Sequence, residues 1–416
     1  MKRKIGLILV LAIALSVVGI SPRPTHAQGV EITIWMTGGD VDAQVAKEAA
    51  AAWEAATGNT VTVEAIDWGS AHARILTAAT SGEGPDIITG GLSWGIEFGE
   101  LGGMIDLNER YPEDVAALGA ADNPGIWKSI VSTDGAVYGV PYDLTTYLMF
   151  SRPDLLEGLG LTVPQTWDEL LAAQEAIKAA NENNEGGVAI GWGNTDWLGY
   201  SNFLWQAGGD WYDDECNVTI DSEEAAEALD FYASLYDAGV PTDSATAIEA
   251  GLDSGLYPVS LQGNWIVGGL DASYPDMVGK WQASPLPAGP TGSRSAFIGG
   301  RIMGIMSFSE HVDEAFDLIK YYNTEDAAKA LIASSTAQNT LFIPPATDFI
   351  QYTAYGDNIR EALTAVLEEA KGPPNCPGWE AATSDVTLQI QAVIFEGADS
   401  EDAVAEMAAI MEDNME

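Results

Sequence analysis

The residues most able to do chemistry as a group are Gly91-Leu92-Ser93-Trp94-Gly95, which match G-x-S-x-G, a serine exposed on a strand-to-helix turn as a nucleophile. With 44 Gly in the chain, roughly 0.3 such matches arise by chance, so the motif needs partners to carry weight. A serine nucleophile requires a base within hydrogen-bond reach. The order Ser…Asp…His leaves only His311, beside Ser309 and Glu310 at a helix start, where the helix dipole disfavours an imidazolium. No His-Gly-Gly-Gly oxyanion segment is present. Paired carboxylates for glycoside hydrolysis are inevitable among 62 acids and so carry no information. There is no P-loop and no G-x-G-x-x-G opening a helix. A secreted hydrolase using Ser93 and His311, or a carboxylate pair, is the enzyme reading. The other reading makes Ser93 a polar loop residue at a strand end, in a protein that catalyses nothing and needs no cofactor.

Tryptophan is the second signal. The chain has 13 Trp, and Trp35, Trp68, Trp94, Trp192, Trp197, Trp205, Trp211 and Trp265 fall at expected loop or strand ends. An indole face stacks on the apolar C–H face of a sugar ring, while amides and carboxylates take its hydroxyls. Trp53 and Trp167 are expected in the core, whereas Trp94 and Trp265 stand in Gly-flanked loops.

Lys2, Arg3 and Lys4, then the apolar run Ile5 to Ile20, then Thr25-His26-Ala27 read as a secretory signal peptide, residues 1–27, cleaved after Ala27. Without the four basic residues of 1–27, 13 Lys and Arg face 62 Asp and Glu, a net −49. That balance excludes a broad nucleic-acid surface and disfavours anionic membranes and strongly anionic ligands. No Cys follows the cleavage site, so neither lipid attachment there nor direct membrane insertion after cleavage is expected. Cys216 and Cys376 form an even pair in an exported chain, which reads as one disulfide or as two buried thiols. Two Cys with His72 and His311 offer no zinc spacing, and no metal is expected.

These residues need elements to hold them. The pattern from Glu31 to Thr89 is β-α-β-α-β: strands at 31–35, 61–65 and 85–89, a helix stopped by Gly58, and another from His72 to Ala79. Such alternation predicts an α/β fold with a mostly parallel sheet flanked by helices, binding beyond the carboxyl ends of its strands. Thr37 to Asp40 and Gly90 to Trp94 sit at two of those ends. A second block begins near residue 145. It has a capping box at Thr166 to Glu169, a similar spacing at Asp221 and Glu224, and a Pro- and Gly-rich crossing at 284–295. Further helices are expected at 312–319, 357–370 and from about Glu401.

Six segments then carry a resemblance: Ser81-Gly82-Glu83-Gly84-Pro85-Asp86-Ile87, Val137 to Asp143, Pro164 to Leu170, Trp205-Gln206-Ala207-Gly208-Gly209, Gln262-Gly263-Asn264-Trp265, and Pro285 to Pro290. In this order along residues 30–416 they resemble the extracellular solute-binding proteins of family 1, the sugar-binding, maltose-binding-protein-like components of ABC importers. The resemblance implies a two-lobed, type II-like periplasmic-binding-protein fold closing about a hinge. Crossings near 144, 298 and 343 would divide it into a first lobe of 30–143 plus 298–343 and a second of 144–297 plus 344–416. It implies ligand-binding roles for Trp35, Thr37, Asp40, Trp68, Ser93, Trp94, Asp143, Trp205 and Trp265. Gly300 and Arg301 occupy a position that usually carries Trp, Ser or Asn. Arg301 would bind hydroxyls or favour an acidic sugar, or else form a structural ion pair; Trp205 is either site or core. The Cys pair is not a general family feature; bridged, it would staple the second lobe. The implied protein is a monomeric, periplasmic or cell-surface-associated carbohydrate receptor delivering to permease subunits. A receptor for glycerol phosphate or another polar solute is the alternative.

Overall fold

Alternation along Glu31–Thr37 (β1) buries Ile32, Ile34 and Met36 on one face and leaves Thr33 and Trp35 half-covered on the other. In the computed structural model, which describes residues 29–181, 186–191, 196–241 and 247–415, this strand pairs in parallel with Thr60–Ile66 (β2) and Ile87–Gly91 (β3). Thr37 and Gly91 therefore finish at the same end of the sheet. Residues 1–27, expected from the sequence to be a signal peptide, and Trp192 lie outside the described residues.

The remaining strands are Val140–Ser151 (β4), Val188–Ile190 (β5), Val259–Gly263 (β6), Gln282–Ser284 (β7) and Ile298–Ile305 (β8). Among the described residues the eight strands run β2-β1-β3-β8-β4-β6-β5, with β7 also on β4. β4 is the shared element. Its residues Val140 to Thr146 pair antiparallel with β8, and Tyr147 to Ser151 pair with β6 and β7. All but Thr145 of its residues are buried, the pattern of a strand covered on both faces. Near the change of partners, the Leu144 N–H donates to the Ile343 carbonyl at 2.9 Å.

The sheet is mixed, where alternating β-α units alone predict mostly parallel pairing. β1, β2 and β3 are parallel, as are β5 and β6, but β8 returns from the second half of the chain and lies antiparallel to both β3 and β4. Helices open where short polar side chains satisfy free N–H groups. Asp67 accepts from Gly69, Thr166 from Glu169, and Asp399 from Glu401 and Asp402. At the helix expected from the Asp221 spacing, the cap is Ser222, accepting from Ala225. The second half is built around fully buried Tyr200, Trp211, Tyr232 and Trp379. Cys216 and Cys376, 160 residues apart, are joined by a disulfide with Cα atoms 5.6 Å apart.

Trp53 and Trp167 are core, each with its indole N–H satisfied, by Asp317 at 2.9 Å and by Gln206 at 2.6 Å. Among the described residues one buried carboxylate oxygen is left without a hydrogen-bond partner: Asp122 is 6% exposed, and its Oδ2 meets no donor. Burial pushes its carboxyl up to about 7. An acid with a raised folded value holds its proton more tightly when folded. Its contribution is therefore favourable below the unfolded value of about 4 and is lost as pH rises through about 7. Asp122→Asn should accordingly raise stability at pH 8 by on the order of 2–4 kcal/mol and change it little at pH 4, as read by urea unfolding at the two pH values.

Candidate functional site

Arg301 is the electrostatic centre of the sheet end reached by β1 and β3. It lies opposite Gly91 on one side and Asp143 on the other. Its backbone N–H donates to Asp143 Oδ1 at 2.8 Å, its Nε to Asp143 Oδ2 at 2.9 Å, and its Nη2 to the same oxygen. Nη1 donates to Asp42 Oδ1 and to the Thr37 carbonyl, both at 2.9 Å. Burial disfavours the charge, but Asp143 and then Asp42 more than offset it and hold the guanidinium above its ordinary range. Gly300 makes the geometry possible. Its φ is +141°, and a Cβ there would stand 2.1 Å from the Asp143 carbonyl oxygen. Asp143 and Arg301 thus satisfy each other. The carboxylate that joins them is Asp42, in the first turn of helix Asp40–Ala49, while Asp40 is exposed at the start of that helix.

Thr37 is fully buried, its hydroxyl donating to the Thr89 carbonyl at 2.6 Å, so it ties β1 to β3. Trp35 lies on the other face of β1, beneath the Arg74 guanidinium at 4.1 Å. Trp205 is 4% exposed and donates to Asp210 at 2.9 Å. Of the tryptophans expected in the site, the most exposed among the described residues are Trp68, 48% exposed, and Trp265, 44% exposed. Each belongs to an aromatic group at a strand end. Trp68 meets Trp94 edge-on at 5.7 Å, and Trp94 meets His72 and Phe98. Trp265 meets Tyr147 edge-on at 5.7 Å. In both groups an indole folds back on glycine: a Cβ on Gly90 would come 2.5 Å from the Trp94 ring, and one on Gly263 would come 1.9 Å from the Trp265 ring.

Ser93 donates its hydroxyl to Glu380, which opens helix Trp379–Gln391 in the other half. Burial pushes Glu380 up; the Ser93 bond opposes this and the Glu97 charge adds to it. Glu97 accepts from His72 Nε2 at 2.7 Å, and that bond raises the His72 imidazole, with burial opposing. A cavity of about 260 Å³ lies between these halves, lined by Ser93, Glu97, Glu100, Asn375, Trp379 and Glu380 among others. A second, of about 440 Å³, is lined by Lys128, Trp205, Asp210, Tyr212 and Lys371 among others. Deeper in the second half, burial pushes Asp196 up to about 6, beside Tyr147 and Tyr236.

The Ser93–His311 pairing is overturned by strand register. Ser93 follows Gly91 at the end of β3, whereas His311 follows Ile305, which pairs with Ile87 at the start of β3. The five residues of β3 separate them, about 15 Å of strand at roughly 3.3 Å per residue. Among the described residues no group of three or more His, Cys, Asp or Glu is placed to hold a metal ion. No helix among them is long and apolar enough to cross a membrane. Asp42, Glu380, Asp196 and the His72–Glu97 pair are absent from the sequence-derived site, since nothing local marks them.

Removing one partner of the central ion pair tests its weight. Arg301→Leu leaves Asp143 buried with an uncompensated charge and should cost about 3–5 kcal/mol in chemical unfolding. The double variant Arg301→Leu/Asp143→Leu should recover a large part of that loss.

The family described as bacterial extracellular solute-binding protein matches residues 38–329. A putative binding protein of Brucella abortus is 25% identical over 365 residues, 86% of this chain and 85% of that protein. A lactose-binding protein of Rhizobium radiobacter is 28% identical over 331 residues, 73% of this chain and 72% of that protein. The structure of the sugar-binding protein MalE from Xanthomonas citri superposes with a TM-score of 0.78 at 26% identity, covering 92% of this chain and 97% of that one. The two-lobed α/β fold is shared with it.

Proposed function

The chain belongs to the bacterial extracellular solute-binding protein family, and on that premise we propose that it captures a carbohydrate between two lobes and delivers it to the permease of an ABC importer. The observation that carries this reading is the pair of half-exposed indoles, Trp68 and Trp265, one at a strand end in each half of the sheet. Water-facing tryptophan at two strand ends is costly unless a ligand with apolar faces covers it, and a sugar ring has such faces. Hydroxyls of the ligand meet carboxylates that already accept from O–H or N–H donors, Glu380 and Asp196. The cations near the cleft are committed: Arg301 to Asp143 and Asp42, Lys128 to Asp214, and Lys371 to Asp210. That favours a neutral polyhydroxyl ligand over glycerol phosphate.

The lobes are 30–143 plus 298–343 and 144–297 plus 344–416, and closure about the crossing segments buries the ligand. The protein acts as a monomer and does no chemistry on its ligand. It is exported by a signal peptide cleaved after Ala27 and works in the periplasm or at the cell surface. The ligand contacts are Trp68, Trp94, Trp265, Ser93, Asp196 and Glu380, with Arg301, Asp143 and Thr37 forming the floor beneath them.

A thermal-shift and calorimetry panel of monosaccharides, oligosaccharides, polyols and glycerol phosphates tests the reading. A sugar should stabilise the protein by about 4 kcal/mol at a thousandfold excess over its Kd. Trp265→Ala should weaken that sugar tenfold or more while leaving unliganded stability nearly unchanged. Stabilisation by a glycerol phosphate alone would replace the carbohydrate by an anionic solute.

A further inference from the structure

Residues 371–378, between helices Asp357–Leu367 and Trp379–Gln391, have no helix or strand and contain three prolines. Proline fixes φ and stiffens such a segment. Its start is hydrogen-bonded to the root of β8: the Lys371 N–H donates to the Ala296 carbonyl at 3.1 Å, and the Ile298 N–H to the Lys371 carbonyl at 2.8 Å. Near its end, Cys376 is bonded to Cys216 in a loop of the second half. Anchored in this way, it meets the first half three times. Asn375 Nδ2 donates to the Val131 carbonyl at 2.7 Å. Glu380, just beyond the segment, accepts from Ser93. Gly372 lies so close to helix Pro124–Ile130 that a Cβ would stand 1.9 Å from Ser129 Oγ. Beside Cys216, Asp214 accepts from Lys128 of the same helix at 2.5 Å. Pro374, Asn375 and Cys376 stand in the walls of both cavities. One covalently tied segment therefore separates the two chambers and carries or adjoins every one of these contacts between the halves.

We propose that residues 371–380 form a strap that sets the spacing of the two lobes, with Asn375 and Glu380 as positioning residues and the Cys216–Cys376 disulfide as the anchor that holds them in place. The consequence for ligand capture rests on the receptor reading above; the conformational claim does not. Reduction by a dithiol delivers two electrons and two protons, breaks the S–S bond and leaves two thiols, while the reductant becomes its own cyclic disulfide. The strap then keeps only its hydrogen bonds, and the unliganded protein opens.

Small-angle X-ray scattering and amide hydrogen exchange on the unliganded protein test this, comparing the oxidised protein, the protein reduced with dithiothreitol, and Cys216→Ser/Cys376→Ser. Loss of the bond should increase the radius of gyration and speed exchange about tenfold at residues 93–101 and 124–131, while the β1–β3 amides keep their protection. Ser93→Ala/Asn375→Ala retains the disulfide and removes the two hydrogen bonds that residues 375–380 make to the first half, leaving the Lys128–Asp214 pair in place. It should open the protein in the same way, and it keeps the test available if the cysteine variant fails to fold. A lower melting temperature with unchanged radius and unchanged exchange at 93–101 and 124–131 would make the disulfide a staple within the second half and overturn the proposal. No ligand is added, so this outcome is independent of the sugar panel.

Discussion

The Arg301 ion-pair knot is the interaction on which the arrangement of the cleft depends. A guanidinium whose side chain is only 11% exposed persists there because Asp143, 7% exposed, and Asp42 neutralise it and its donors meet fixed acceptors. The knot joins β8, β4, the end of β1 and the first helix at one point, three residues before β4 changes partners at Thr146. It pins the register of the strand that both halves share. This end of the sheet is in this way internally neutralised, and on the proposed reading contact with the ligand is left to the residues at the strand ends around it.

Two of those strand ends repeat one device. A strand ends on glycine, and a tryptophan two to four residues on folds back over the bare backbone: Gly90 with Trp94, and Gly263 with Trp265. The missing side chain makes room for an indole that would otherwise have no support at a strand end. Trp68 and Tyr147 then meet these rings edge-on, so each half presents a group of rings held by packing rather than a single mobile side chain.

Much of the fold was legible because its signals are local. Period-two alternation marks β1 and β2, polar caps mark helix starts, and Gly58 ends its helix in the left-handed conformation. The Gly-flanked tryptophans were legible for the same reason. The partners of the polar site residues were not. Asp143 and Arg301 are 158 residues apart and Ser93 and Glu380 are 287 apart; Asp143, Arg301 and Ser93 were visible only as polar groups at promising places, and Glu380 was not visible at all. Sequence spacing shows that a carboxylate stands near a crossing, but not that an arginine from a distant strand already saturates it. Trp205 shows the same limit: its Gly-Gly neighbours suggest a loop, yet helix Trp197–Ala207 carries it into the core, where Asp210 takes its N–H. The antiparallel return of β8 is likewise a long-range fact, invisible in the β-α rhythm of the N-terminal strands.

The charge balance links these observations. With 62 acids against 17 Lys and Arg, most carboxylates have no cation to pair with, and many are met by hydroxyls instead. Ser309 donates to Asp86, Ser334 to Glu48 and Ser400 to Asp230, each at 2.6 Å, and Ser93 donates to Glu380. A hydroxyl satisfies a carboxylate oxygen without adding charge, so its replacement by another hydroxyl leaves the local electrostatics unchanged. On the carbohydrate reading, a sugar hydroxyl can take the place of Ser93 on Glu380 at small electrostatic cost. A phosphate at the same position would set two or more negative oxygens against Glu380 and Glu97, whose neighbour His72 is already hydrogen-bonded to Glu97. On that reading, the scarcity of cations that leaves the chain strongly acidic also selects at Glu380 for a ligand made of neutral O–H donors.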